Sequence, residues 1–242
     1  MNIEERIAMT AGCRDADTIP KVPDAGAISV HNGLRVQTMH NGLKMVANGY
    51  YGEWITRIIS ALKGHHEPQE ELIFHSLLKH VRPGSCIVEL GAYWAYYTCW
   101  YLQAVAESRA VCIEPNPDNL ALGRHNAELN GMSASINFKQ AWIGWKQDGI
   151  CPPAANLETL ECLDAAAVLA LAGGTIEMLH LDIQGAELDF LQSLCPKAVR
   201  NIRFLMVSTH HKTISGSPTT HADCLQAIQA LGGHILVEHG IA

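Results

Sequence analysis

The sequence has no apolar run of the roughly 18 to 20 residues that a membrane span needs. Its opening, Met1-Asn2-Ile3-Glu4-Glu5-Arg6, has no apolar centre of the kind a signal peptide carries. CxxC pairs are also absent: Cys13, Cys86, Cys99, Cys112, Cys151, Cys162, Cys195 and Cys224 are scattered, several of them inside predicted strands or helices. That spacing excludes a zinc knuckle and a disulfide framework, and it suits small buried hydrophobes in a reducing compartment. A cytoplasmic location is expected. Basic charge is scarce, with 17 Lys and Arg against 24 Asp and Glu, so no net attraction draws the molecule to nucleic acid or an anionic membrane. A small-molecule partner is expected instead. Finally, no G-x-G-x-x-G fingerprint follows any predicted strand, which excludes the pyrophosphate cradle of a nicotinamide or flavin dehydrogenase.

What is present is a globular composition, 48% hydrophobic and 17% charged over 242 residues, enough for one large α/β domain with an appendage. Residues 1–63 are expected to form the appendage: a loose arm to about residue 30, a hairpin around Asn41-Gly42 with Leu34–Met39 and Leu43–Val46 as its strands, and a helix over 53–62. Residues 64–242 are expected to form the main domain. A helix over 69–81 leads through Pro83-Gly84 into a strand ending at Glu89-Leu90. From there strands and helices alternate, the pattern of a mostly parallel sheet. The predicted strands are 110–115, 135–140, 176–183, 202–209 and 234–238. The predicted helices begin at Asn116-Pro117 and end at Asn130-Gly131, then span 161–171 (after a break at Pro152-Pro153), 186–194 and 223–231.

Three motifs carry chemistry. Glu89-Leu90-Gly91 places an acid and a tight turn at the end of a buried strand. Taken alone it reads equally as an ordinary strand-turn-helix, but one glycine beside a carboxylate suits a cofactor without phosphates, such as S-adenosylmethionine, whose sulfonium and ammonium groups favour acids. Glu114 ends the next strand, at the place where a carboxylate accepts ribose hydroxyls, with Pro115 and Asn116 beside it. His180-Leu-Asp182-Ile-Gln-Gly185-Ala-Glu187 puts Asp182 at the end of the fourth strand, facing the same crevice.

The segments ELGAYWAYYT, IEPNPDNL, RHNAELNG and LHLDIQGAELDFL, with FLMVSTHH after them, resemble the FkbM family of S-adenosylmethionine-dependent methyltransferases over about residues 64–239. The resemblance implies a class I, Rossmann-like αβα sandwich and O-methylation of a hydroxyl on a sugar or secondary metabolite. In that family Glu89, Gly91 and Glu114 match cofactor-holding positions, Asp182 and Glu187 match a D-x-x-G-x-E segment, and Glu67-Pro68 keep a Glu-Pro pair. The full cofactor set expected is Glu67, Glu89, Gly91, Ala92, Tyr93, Glu114, Pro115, Asn116, Ala141 and Asp182. Departures stand out as well: Tyr93 and Ala95 replace the family's common Asn and second Gly, and no segment after Glu238 supplies the seventh, antiparallel strand, so a truncated sheet is expected.

A hydroxyl acceptor benefits from a base, and Asp182 or His210 is the expected catalytic residue. His65, His66 and Glu67 with Asp182 and His210 form a candidate divalent-ion set. His75, His80, His125 and His180 read as core or surface histidines, and Tyr93, Trp94, Tyr96, Tyr97 and Trp100 read as core on one side, with Tyr93 and Trp94 lining the acceptor pocket as the alternative. The second reading is a protein that binds S-adenosylmethionine without catalysis, acting as a regulatory partner.

Overall fold

The computed structural model describes residues 2–143 and 160–240; the Pro152-Pro153 break and Cys151 lie outside them. Where a loose arm was expected, a capping box starts a helix: the Asn2 side chain accepts from the Glu5 amide and the Glu5 carboxylate from the Asn2 amide, both at 2.9 Å. This helix, α1 (Ile3–Ala11), buries Ile7, and Ala16 and Ile19 after it are buried too. The signal was present as Asn2-x-x-Glu5. The expected hairpin is observed as β2 (Leu34–Thr38) and β3 (Lys44–Val46), with one more antiparallel strand, β1 (Ile28–His31), ahead of them. The β1–β2 turn is Asn32-Gly33, both residues at positive φ, the conformation that favours Asn-Gly in two-residue hairpins. Helix α2 (Glu53–Ala61) follows, then α3 (Pro68–Leu78), where Pro68 stands in the first turn rather than ahead of the helix.

The alternating part runs β4 (Cys86–Leu90), α4 (Tyr96–Ala104), β5 (Arg109–Ile113), α5 (Pro117–Leu129), β6 (Ile136–Lys139), the short β7 (Trp142–Ile143) and β8 (Cys162–Leu163), α6 (Ala165–Leu171), β9 (Ile176–Leu181), α7 (Glu187–Ser193), α8 (Pro196–Val199), β10 (Ile202–Val207), α9 (Lys212–Ser215) and α10 (Thr220–Ala230). Asn116 caps α5, accepting from the Asp118 amide at 2.9 Å, with Pro117 following it, as its sequence predicts. Helix α6 starts later than predicted because Asp164, not Glu161, supplies the cap.

Five strands form one wholly parallel sheet in the order β10-β9-β4-β5-β6. Strands added to one side and then to the other of the first are the doubly wound, Rossmann-like arrangement of the class I methyltransferase fold, and the order reverses between β4 and β9. Every residue of β4 and β9 is buried, as parallel strands covered on both faces require. The pleat divides them. Val88, Leu90, Leu179 and Leu181 pack with α6, α7 and α10, whereas Ile87 and Met178 join Tyr96, Trp100, Phe74 and the N-terminal elements. The N-terminal segment therefore shares a core with the sheet.

The predicted strand over 234–238 is not one. The segment pairs with no strand, leaving Ile235, Leu236 and Val237 at 40, 71 and 50% exposure and β10 at the sheet edge. Its apolar pattern fits a strand, but a strand exists only where a neighbour supplies the ladder. No helix among the described residues is long and apolar enough to cross a membrane.

Candidate active site

At the switch point the carboxyl ends of β4 and β9 approach as closely as backbone allows. Gly91 has φ +79°, and a Cβ there would stand 1.8 Å from the Asp182 carbonyl oxygen, so only glycine fits. The Gly91 and Ala92 amides donate to Ile113 O at 2.9 and 3.1 Å, and the Asp182 amide to Leu90 O at 3.0 Å. The loop from Gly91 to Ala95 then turns into α4 through two left-handed residues, Tyr93 (φ 39°) and Ala95 (φ 59°). The backbone path that Asn and Gly take easily is here imposed on Tyr and Ala.

Glu114 sits just past β5, 6% exposed, and accepts from the Tyr93 amide (3.1 Å), the Asn116 amide (2.9 Å) and Asn119 Nδ2 (3.3 Å). Burial raises its pKa against the pull of those amides. Pro115 O accepts from Gln140 Nε2 at 3.0 Å. Ala92 and Ala141 are buried, on opposite faces of the sheet.

Glu89 points elsewhere. It shares the face of Ile87 and Met178, and its Oε2 accepts from Thr98 N and Thr98 Oγ1. Its cross-strand neighbour His180 lies 3.8 Å from Oε1 through Nδ1 and holds Glu70 at 2.7 Å through Nε2. Ser208 Oγ also donates to Glu70, at 2.8 Å. Burial pushes the His180 pKa down, but the hydrogen bond to Glu70 and the nearby Glu89 carboxylate outweigh it and raise it to about 10. His180 is thus an ion-pair centre joining α3, β4 and β9, a role that its place within an apolar strand did not signal.

Asp182 and His210 meet as predicted from their strand ends. His210 Nε2 lies 3.1 Å from Asp182 Oδ1 and Nδ1 lies 2.9 Å from Glu187 Oε1. Burial disfavours the imidazolium, but bonds to Asp182 and then Glu187 raise its pKa to about 10. Glu187, fully buried, also takes the Ile183 and Gly185 amides, at 3.0 to 3.1 Å. Both ring nitrogens of His210 are committed.

The proposed five-residue metal set divides. His65 and His66 turn to Glu71, which also takes the His66 amide, while His210 turns to Asp182 and Glu187. Two smaller groups, His40–His65–Glu71 and Asp182–Glu187–His210, have ligand atoms within 4.8 Å of one another. In the second, the carboxylates and imidazole already satisfy one another and the turn amides, so the donor set is complete without an ion.

Glu67, with its side chain 31% exposed, accepts from Tyr50 Oη at 2.8 Å and pairs with His66 Nε2 at 3.1 Å. Tyr50 stacks on Trp94 (4.8 Å between centroids) and meets Tyr51 and Tyr93 edge-on at 4.7 and 5.0 Å. Burial raises the Tyr51 pKa, and so do the nearby charges of Tyr93, Asp182, Glu67 and Glu114. Two carboxylates from different elements therefore bond to this aromatic group, Glu67 through Tyr50 Oη and Glu114 through the Tyr93 amide. Tyr50 and Tyr51 were not anticipated; the adjacent pair before Gly52 was the available signal.

No protein-family model matches this chain, and no curated protein matches it either. Among solved structures it is similar to a ribosomal protein L11 methylase from Lactobacillus delbrueckii subsp. bulgaricus, at 14% identity over 74% of this chain and 76% of that one, with a TM-score of 0.48. It is also similar to precorrin 8w decarboxylase from Methanobacterium thermoautotrophicum (14%, 69% and 73%, 0.47) and to an O-methyltransferase from Bacillus cereus in complex with SAH (13%, 69% and 67%, 0.41). The fold assignment rests on the strand order and parallel ladders rather than on these likenesses.

Proposed function

We propose that the chain is an S-adenosylmethionine-dependent methyltransferase that O-methylates a small hydroxylated acceptor, a carbohydrate or secondary metabolite, in the manner of the FkbM family its motifs resemble. The observation that carries this reading is the switch point itself, where Gly91 lets the ends of β4 and β9 meet and the Glu114 carboxylate holds the Tyr93 amide of the adjoining loop. In this reading Glu114, at the end of β5, would accept the ribose hydroxyls, and Glu67 with the Tyr50, Tyr51 and Tyr93 rings would offer an anion and ring faces to the cationic groups. The residues fit the nucleoside and the sulfonium. When bound, that group supplies an electrophilic methyl carbon.

The chain's own residues do the rest. The aromatic wall excludes water and holds the acceptor in line. Asp182 would take the acceptor's hydroxyl proton. His210, whose pKa the two carboxylates raise, keeps Asp182 and Glu187 oriented. The test is calorimetric titration with S-adenosylhomocysteine, with NAD as control. Glu114→Ala should weaken binding by about tenfold or more, from loss of hydrogen bonds to a charged group. No binding by the folded wild type refutes the reading, and binding without transfer to any hydroxylated acceptor favours a non-catalytic partner protein.

A further inference from the structure

The opposite end of the sheet, where the strands begin, holds a second concave site. A cavity of about 620 Å³ opens at the amino ends of β4, β5, β9 and β10, lined by Arg82, Arg109, Arg200 and Arg203 around Glu177, with Ser85 at its floor. In a chain whose acids outnumber its bases 24 to 17, four arginines about one carboxylate reverse the local sign.

The carboxylate positions two of them. Glu177 is 3% exposed. Its Oε2 accepts from Arg82 Nε at 2.9 Å and from Arg82 Nη2, and its Oε1 accepts from the Arg82 amide at 3.1 Å and from Arg203 Nη1. Arg203 Nη1 also donates to His80 O at 2.8 Å. Both guanidinium forks are thus fixed while each keeps N–H groups that Glu177 does not use. Arg109 is held by a bond from Nη2 to Ala172 O at 2.7 Å. Arg109 and Arg200 are exposed and have no ion-pair partner among the described residues. One buried acid holds two arginines and neutralises one charge, leaving the cavity strongly positive.

We infer that this cavity binds a compact polyanion of the diphosphate class, on the face opposite the methyl-transfer crevice and independently of it. Planar forks preset by carboxylate and carbonyl contacts are suited to bidentate recognition of phosphoryl oxygens. Strand spacing of about 4.8 Å spreads the arginine anchors over some 14 Å across four strands, a width that suits two phosphoryl groups better than one. The acidic balance of the remaining surface opposes an extended polyanion such as a nucleic acid, which would have to lie along it; a small anion meets only the cavity.

The experiment is calorimetric titration of the full chain with sodium pyrophosphate in low-chloride buffer, repeated with inorganic phosphate and again in saturating S-adenosylhomocysteine. One equivalent of pyrophosphate should bind about tenfold or more tightly than phosphate, unaffected by S-adenosylhomocysteine. The double variant Arg109→Ala/Arg200→Ala, which leaves the Glu177 clamp intact, should lose about tenfold or more in affinity. Should it fail to fold, Arg200→Glu carries the same expectation. No binding by the wild type, equal affinity for phosphate, unchanged affinity in the variants, or competition by S-adenosylhomocysteine overturns the inference. None of these outcomes depends on whether the chain transfers methyl groups.

Discussion

Replacing Gly91 by alanine tests the geometry of the switch point. The residue has φ +79°, and the added Cβ would meet the Asp182 carbonyl oxygen at 1.8 Å, with the Asp182 carbonyl carbon at 2.8 Å. The conformational penalty of an L-residue there is about 1–2 kcal/mol. To bring the contact out to the 3.0 Å that real Cβ atoms keep, the ends of β4 and β9 must part, and the bonds from Asp182 N to Leu90 O and from Gly91 N to Ile113 O are the ones strained. Each contributes about 1 kcal/mol, so the expected loss is about 3–4 kcal/mol. That is large against the roughly 5–15 kcal/mol of a typical domain, yet it leaves most molecules folded. The same parting displaces Asp182 and the Tyr93 amide that Glu114 holds, so S-adenosylhomocysteine binding should fall by about a hundredfold, the equivalent of 2.7 kcal/mol. Urea unfolding and calorimetric titration measure the two losses. A variant within 1 kcal/mol of wild type that still binds normally would show that the two strand ends are not packed as described.

The buried histidines set a pH dependence. His180 and His66 each have a folded pKa raised to about 10 from 6.5, burial opposing and neighbouring carboxylates prevailing. Because the folded value is the higher one, the stability they contribute is complete below pH 6.5 and drains away as pH rises toward 10. The urea midpoint should fall over that window and fall less steeply in His180→Gln, which also costs about 3–5 kcal/mol by leaving Glu70 and Glu89 buried without their cation; identical slopes would contradict this. For turnover, His210 should show no titration between pH 6.5 and 9, so a rate limb near pH 6.5 that vanishes in His210→Ala would instead make it the base. Asp182→Asn should slow transfer by about a hundredfold or more with little change in S-adenosylhomocysteine affinity, measured by product formation and calorimetry.

The alternating strands and helices after residue 84 were legible because burial on both faces writes continuous apolar runs and some helix starts carry a side-chain cap, as at Asn116-Pro117 and Asp164. Chemistry-bearing side chains were legible where they end a strand: Glu114, Asp182 and His210 stand where their positions imply. The direction of Glu89 was not legible, because side-chain direction depends on the pleat. One residue along β4 separates a group aimed at one face from a group aimed at the other, and the sheet's partners decide which face is core. Whether 234–238 forms a strand was not legible at all, since a ladder depends on a neighbour and not on the segment's own pattern. Gly123, inside α5, had no local explanation either. Its reason is the approach of Tyr93 O and the Ala95 Cβ, each of which would stand 3.2–3.3 Å from an added Cβ.

That approach bears on how the loop between β4 and α4 is held. Two left-handed residues without glycine cost about 1–2 kcal/mol each, and such a loop persists only if its surroundings determine it. They do: Glu114 holds the Tyr93 amide, Asn126 Nδ2 donates to Trp94 O at 2.9 Å, and the Ala95 amide donates back to Ala92 O at 2.6 Å. Asn126 has a second task, since its Oδ1 accepts from the Val46 amide at 2.8 Å, so one fully buried side chain joins the loop to β3. The conformation at Tyr93 in turn sets its ring against Tyr50 and Tyr51, at 5.0 and 5.3 Å. Relaxing the loop with glycine at either position would remove strain, but it would also uncouple the wall contributed by the N-terminal segment from the turn after β4. The strain and the aromatic wall are therefore one feature: the rigid loop fixes the Tyr93 ring against Tyr50 and Tyr51.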